Sequence, residues 1–230
     1  MKKIKILSIV VLAVALFCSC EDNSGTYVEQ LFTNQQKETA FTTCLTSSVD
    51  SAISHLCSSN GFYNYNNGAY RIDFSSLQHS VFDTLMNHQL GYLSDSLILC
   101  TNRLAESCNA QVASAFKSAI NSMTYTDHDA LLNGGDHAIT DYFELYKRRA
   151  LEDSLKSPVA IRLNVYNVNN TWASVMNAYR NYSSTPVNID LQGYIIDKML
   201  DGIFEEMRIE EYNIRTDSTH RVSGDSLLGL

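Results

Sequence analysis

The sequence runs to 230 residues, 45% of them apolar, which is ample for one well-buried domain. Its 25 acidic residues outnumber the 17 basic ones, for a formal charge of −8. A surface of that sign, without a basic stripe, repels phosphate backbones and anionic lipid, which argues against nucleic-acid binding and electrostatic membrane adhesion.

The N-terminus reads as an export signal. Lys2, Lys3 and Lys5 form a cationic start, and Ile6 to Phe17 follow without a charge. That run is shorter than the roughly 20 residues a membrane-spanning helix needs. It fits the apolar region of a secretory signal. Leu16-Phe17-Cys18-Ser19-Cys20 resembles the lipobox of bacterial lipoproteins, in which a small residue precedes the acylated cysteine. Ser19 supplies that small residue for Cys20, whereas Cys18 would follow the bulky Phe17. Residues 1–19 are therefore expected to be removed, leaving Cys20 as the lipidated first residue. Several acyl chains, palmitate among them, anchor a protein stably without a spanning helix. The expected location is the outer membrane, in its periplasmic or surface leaflet, with the Cys20 lipid as the membrane contact. Residues 20–33, including Glu21 and Asp22, read as the lipidated cysteine and a polar tether.

From residue 34 to residue 230 helical periodicity dominates. Apolar faces recur at three- and four-residue spacing: Phe41, Leu45, Ala52 and Leu56; Leu77, Val81 and Leu85; Leu93, Leu97, Cys100 and Leu104; Val112, Phe116, Ala119 and Met123. Ile139, Tyr142, Phe143, Tyr146 and Ala150 continue the series, then Val165, Val168, Trp172, Val175 and Tyr179, and last Ile196, Leu200, Ile203, Met207 and Ile214. Helix starts are marked by Thr126–Asp129 as a capping box, Asp136 after Gly134-Gly135, Ser157 before Pro158, and Asp190. The expectation is an all-α, bundle-like single domain of about eight helices. Residues 60–74 are expected to be a non-helical Asn/Gly/aromatic connection. Cys44 and Cys57 lie too far apart on one helix, about 20 Å, to join to each other. Either could pair with Cys100 or Cys108, or all four could be small buried apolar residues.

The stretch Leu132-Asn133-Gly134-Gly135-Asp136-His137-Ala138-Ile139-Thr140-Asp141-Tyr142-Phe143 resembles the family catalogued as domain of unknown function 4197. Asn102-Arg103, Gly61-Phe62, Asp197-Lys198, Asp201-Gly202 and Ile214-Arg215-Thr216 match as well, so the resemblance covers roughly residues 40 to 230. It implies a helical envelope protein of Gram-negative bacteria. It implies no activity, since none is established for the family.

Candidate sites follow from residue chemistry. Gly134-Gly135-Asp136 leads into a helix N-terminus, where free N–H groups could hold an anion, although an Asp capping a tight turn occupies the same place. Asp136, Thr140 and Asp141 are the candidates there. Tyr63, Tyr65 and Tyr70, set among asparagines, could stack on a glycan or a peptide, or else cover the end of the bundle. Asp197, Asp201 and Glu205 lie a turn apart on one helix and could bind a cation, or form a polar face with Lys198 or Arg208. Six Asp-Ser/Thr triplets, at Asp50, Asp83, Asp95, Asp153, Asp217 and Asp225, resemble O-glycosylation sites or serve as helix surface. No Cys-x-x-Cys, His-x-x-x-His or Gly-x-Ser-x-Gly occurs, so no metal, cofactor or catalytic residue is expected. The reading is a non-enzymatic envelope lipoprotein that binds or assembles with an unknown envelope protein or glycan. The alternatives are a surface glycan- or peptide-binding lipoprotein using loop 61–70, and a hydrolase near Asp136 and Asp141.

Overall fold

The computed structural model describes residues 32–74 and 79–229. Cys20, the expected signal and Leu77 lie outside them. Among the described residues there is no strand. Nine α-helices follow in order: α1 (Asn34–Leu56), α2 (Gly61–Asn64), α3 (His79–Asn87), α4 (Gly91–Glu106), α5 (Asn109–Asn121), α6 (His128–Leu132), α7 (Ala138–Val165), α8 (Val168–Arg180) and α9 (Leu191–Thr216). The expected all-α domain is what forms.

Helix α9 is the centre of the packing. It is buried over much of its circumference, through Ile195, Ile196, Met199, Leu200, Ile203, Phe204, Met207 and Ile214. Such a helix must be enclosed by others, and its largest partners are α1 and α7. Helix α1 brings Phe41, Leu45, Ala52 and Leu56, all fully buried, to that core. Helix α5 bridges α1 and α7, so that Phe116, Phe143 and Phe204 meet with ring centroids 5.6 to 6.0 Å apart. Helix α4 carries α8 and α3 on the remaining side.

Local chemistry explains most helix boundaries. Thr33 caps α1 by accepting from the Gln36 N–H, and the Gln36 side chain accepts from the Thr33 N–H in return. Asp190 caps α9 through the Gly193 N–H at 2.9 Å, as expected. Asp127, one residue beyond the expected Thr126, caps α6 through the Ala130 N–H.

Three expectations fail. No helix begins at Ser157-Pro158, because Pro158 lies inside α7. A proline removes one backbone hydrogen bond and crowds the preceding turn. Here Leu151, Leu155, Val159 and Leu163 form one buried stripe across it. The carbonyl that loses its donor belongs to the solvent-exposed Ser154, where water can replace the bond. Tyr146 and Val165 are not core residues either: they are 60% and 71% exposed, and Ala150 is exposed too. Residues 60–74 are not wholly irregular, since α2 and a 3₁₀ turn at Tyr65–Gly68 fold part of them.

Four of the six Asp-Ser/Thr triplets lie in helices, at Asp50, Asp83, Asp95 and Asp153. In each of these the third residue is a fully buried core residue: Ala52, Leu85, Leu97 and Leu155. Two polar residues followed by an apolar one is what a helix edge entering the core requires. The four cysteines are free: Cys44, Cys57 and Cys108 are buried, and Cys100 is half-buried. Burial pushes the Cys44, Cys57 and Cys108 thiols above their ordinary range, Cys57 to about 12, so they stay protonated.

Pro158→Ala is expected to stabilise the protein by about 1–3 kcal/mol, by restoring a helical hydrogen bond and a better helix former. Urea denaturation of the two proteins would measure this, and an unchanged or lower midpoint would contradict it.

Candidate functional site

The Gly134-Gly135-Asp136 turn connects α6 to α7, and its two ends are held by one pair of residues from α9. Glu211 is fully buried, and its two carboxylate oxygens accept from the Ile139 N–H at 3.1 Å and the Thr140 N–H at 2.7 Å. Arg215 donates to Glu211 at 3.0 Å and to the carbonyls of Leu131 and Leu132, each at 3.0 Å. Glu211 therefore satisfies the free N–H groups that open α7, and Arg215 the free carbonyls that close α6. The expected anion site is already filled by a carboxylate of the same chain.

Asp136 is accordingly not the cap. It is solvent-exposed, and the N-cap position of α7 belongs to His137, which makes no side-chain capping bond. Neither glycine has a positive φ. What Gly134 supplies is space: a Cβ there would lie 2.5 Å from the Ala138 Cβ and 2.6 Å from the Ala130 carbonyl oxygen. A Cβ on Gly135 would meet nothing within 4 Å. Thr140 is fully buried, with its hydroxyl unpartnered among the described residues. Asp141 faces outward between His137 Nδ1 at 2.7 Å and Arg208 Nε at 2.8 Å. Burial works to raise its pKa, but the bonds from Arg208 and His137 outweigh that and hold the carboxyl below the ordinary range.

The tyrosine-rich segment is anchored at both ends. Gly61 lies so close to α1 that a Cβ would meet the Leu56 and His55 carbonyl oxygens at 2.2 and 2.4 Å. Asn102, buried on α4, donates to the Ile72 carbonyl and accepts from the Ile72 N–H, both at 2.9 Å. Between these points Asn66, Asn67 and Gly68 take left-handed backbone angles, which asparagine and glycine tolerate best.

Its tyrosines are spent largely on holding the segment in place. Arg71 and Arg103 lie over the Tyr63 ring at 4.7 and 5.4 Å. Tyr65 stacks on His55 at 4.8 Å and on Tyr70 at 6.0 Å. His55 Nδ1 is 2.7 Å from the carboxylate of Glu206, which is only 5% exposed. Burial first, and then the Glu206 carboxylate, push the Tyr65 and Tyr70 hydroxyls above the usual phenol range. All three tyrosines are half-buried, so they form no exposed row of stacking faces.

Of the three, Tyr70 lines a cleft. It measures about 420 Å³ and opens between this segment and α9, lined by Ala69, Tyr70, Arg71, Asp73, Tyr194, Lys198, Asp201, Gly202 and Glu205. Gly202 lets the segment come close: a Cβ there would sit 3.3 Å from Phe62 and 3.5 Å from Tyr70. Asp197 and Asp201 on α9 are paired. Arg148, from α7, reaches Asp197 and, at 2.8 Å, Asp201, while Lys198 holds Asp201 at 3.0 Å. Burial tends to raise the Asp201 pKa, but Lys198 and Arg148 bring it below the ordinary range. The expected polar face with Lys198 and Arg208 is present, with Arg148 as an added hub. Among the described residues no group of three or more histidine, cysteine or acidic side chains could hold a metal ion.

Sequence reasoning singled out Tyr70, Asp201, Glu205 and Lys198 of this cleft but missed Arg71, Asp73 and Tyr194 as their neighbours. Nor did it pair His55 with Glu206, 151 residues away. No spacing rule links residues brought together by tertiary packing alone.

Fold and site thus define a class: an all-α domain wrapped on its last long helix, with a polar cleft where an aromatic loop meets that helix. The chain belongs to the family described as Protein of unknown function (DUF4197), whose model matches residues 31–228. No curated protein and no solved structure matches it. The segments that carry the family resemblance gather at two places. Residues 132–143 and 214–216 form the turn and its clamp, and Gly61-Phe62, Asn102-Arg103 and Asp201-Gly202 seat the loop that walls the cleft.

The turn yields a graded prediction. Asp136→Ala and Gly135→Ala are expected to change stability by less than about 1 kcal/mol. Gly134→Ala should cost about 1–3 kcal/mol through overpacking. Glu211→Ala should cost about 3–5 kcal/mol, because Arg215 loses its counter-charge and two buried N–H groups lose their acceptor. Chemical denaturation of the four variants would read this order, and a larger loss for Asp136→Ala than for Glu211→Ala would reverse it.

Proposed function

We propose that this chain is a non-enzymatic binding module of the bacterial cell envelope, held on the outer membrane through a lipid on Cys20. Its ligand sits in the cleft between Tyr70 and α9. The observation that carries this reading is the cleft itself, which offers charged groups of both signs and tyrosine edges around a space fit for a small polar ligand. A general acid needs a pKa raised toward neutrality. The Asp201 and Asp141 carboxyls are instead held down by arginine, lysine or histidine partners, which favours binding over hydrolysis in the cleft and at the turn. For the anchor, the support is the Ser19-Cys20 junction behind an apolar run. No helix among the described residues is long and apolar enough to cross a membrane.

Two experiments test this. Cys20→Ala should move the protein from the membrane fraction to the soluble fraction and abolish acylation, as read by fractionation and mass spectrometry. An unmodified Cys20 in the wild-type protein would overturn the anchor. For the cleft, calorimetric titration with a panel of neutral oligosaccharides and short peptides should find one class that binds and is recovered intact. Lys198→Glu should weaken that binding at least tenfold. Cleavage of the bound compound, or binding indifferent to Lys198→Glu, would overturn the reading.

A further inference from the structure

We propose that the cleft is one half of an elongated groove that holds an extended peptide segment carrying a basic side chain beside a bulky apolar one. This rests on the binding reading above and names its ligand class. A second cavity, of about 300 Å³, is lined by Asp136, His137, Glu205, Arg208, Ile209 and Tyr212. Glu205 lines both cavities, so they adjoin at its side chain. Lys198, Asp201, Glu205, Ile209 and Tyr212 follow one another at intervals of three or four, which places them on one stripe of α9. From Lys198 to Tyr212 that stripe is about 21 Å long at 1.5 Å per residue. An extended chain of about six residues, at roughly 3.3 Å each, covers the same length.

The chemistry changes along the stripe. Around Tyr70 and Lys198 it is polar, while at the far end Ile209 and Tyr212 are 43% and 47% exposed. The cations of the groove are already engaged. Arg208 pairs with Asp141 and Glu144, Lys198 with Asp201, and Arg71 with the carbonyl and ring of Tyr63. Two carboxylates are not matched in this way. Glu205 faces only Arg208, at 3.6 Å, and Asp136 joins no hydrogen bond or ion pair among the described residues. One stands at the junction of the cavities and the other at the far end. In a chain of formal charge −8, such a groove attracts a cationic occupant. A neutral saccharide could donate hydroxyls to these carboxylates, but it would leave the charge of Asp136 unbalanced and Ile209 uncovered. A lysine or arginine next to a leucine-sized side chain balances the one and covers the other, and its backbone fits the groove's length.

The test is a positional-scanning library of fluorescein-labelled hexapeptides, read by anisotropy against the purified full-length protein in detergent. The expected result is selection of lysine or arginine at one position and of leucine, isoleucine or phenylalanine one to three positions away. Glu205→Lys and Asp136→Lys should each weaken the selected hexapeptide at least tenfold while leaving the melting temperature unchanged, since both side chains are exposed. Absence of a basic preference, or an affinity indifferent to Asp136→Lys, overturns the proposal. Saccharide binding that responds to Lys198→Glu but not to Asp136→Lys would refute the peptide groove and leave the cleft reading standing. Hexapeptide binding that ignores all three substitutions would refute both.

Discussion

The buried pair Glu211–Arg215 is the constraint on which the remaining geometry depends. Removing two charges from water costs several kcal/mol per ion, and the pair is tolerable only if every polar atom is occupied. Here the carboxylate takes two backbone N–H groups of α7 as well as the guanidinium, and the guanidinium takes two carbonyls at the end of α6. Because the partners are backbone atoms of helix termini, the pair fixes α7 on α9 in position and in rotation. That register sets Arg148 opposite Asp197 and Asp201, and Arg208 opposite Asp141 and Glu144. The ion pairs along the α7–α9 seam are exposed enough that each contributes little alone. They follow from the clamp rather than create the alignment.

The same logic orders the loop end of the molecule. A buried carboxylate, Glu206, sits one helical turn beyond Gly202 on α9 and gathers His55, Tyr65 and Tyr70 around it. Asparagine and glycine allow the chain to turn tightly enough to bring those rings in, and Asn102 closes the segment behind them. The cleft is the space left over between this fixed loop and the outward face of α9. Its wall is therefore rigid by construction, which favours a preformed site over one that must be assembled around a ligand.

What was legible in the sequence was whatever depends on near neighbours in the chain. The helical class, the α1, α5 and α9 faces and the Asp190 cap all express a period of 3.6 or a reach of three residues. The polar face of Asp197, Asp201 and Glu205, with Lys198 and Arg208 beside it, was legible for the same reason. The failures share the opposite cause. Asp136 looks like a cap because it precedes a helix, yet a carboxylate 72 residues from Ile139 does that work. Pro158 looks like a helix start because its local cost is high, yet a stripe of four buried side chains outweighs it. Tyr146 fits the helical period, but which turns of a long helix are covered depends on where its neighbours end. For Tyr63 and Tyr65 the sequence left ligand stacking and covering of the bundle both open, and the choice depends on Arg71, Arg103, His55 and Glu206, which come from elsewhere in the fold.

That α9 is both the hub of the core and the last of the α-helices has a consequence in time. A chain made from its N-terminus exposes α1, α5 and α7 before their common partner exists. Their apolar faces can touch one another, but the phenylalanines of α5 and α7 have no Phe204 to close upon. The N–H groups opening α7 likewise have no Glu211. The packing of α1 and α7 on α9 must then arrive late, and part of it joins residues as far apart as His55 and Glu206, 151 positions along the chain. Shortened products that stop before Leu191 are thus not smaller versions of the domain but unfinished chains.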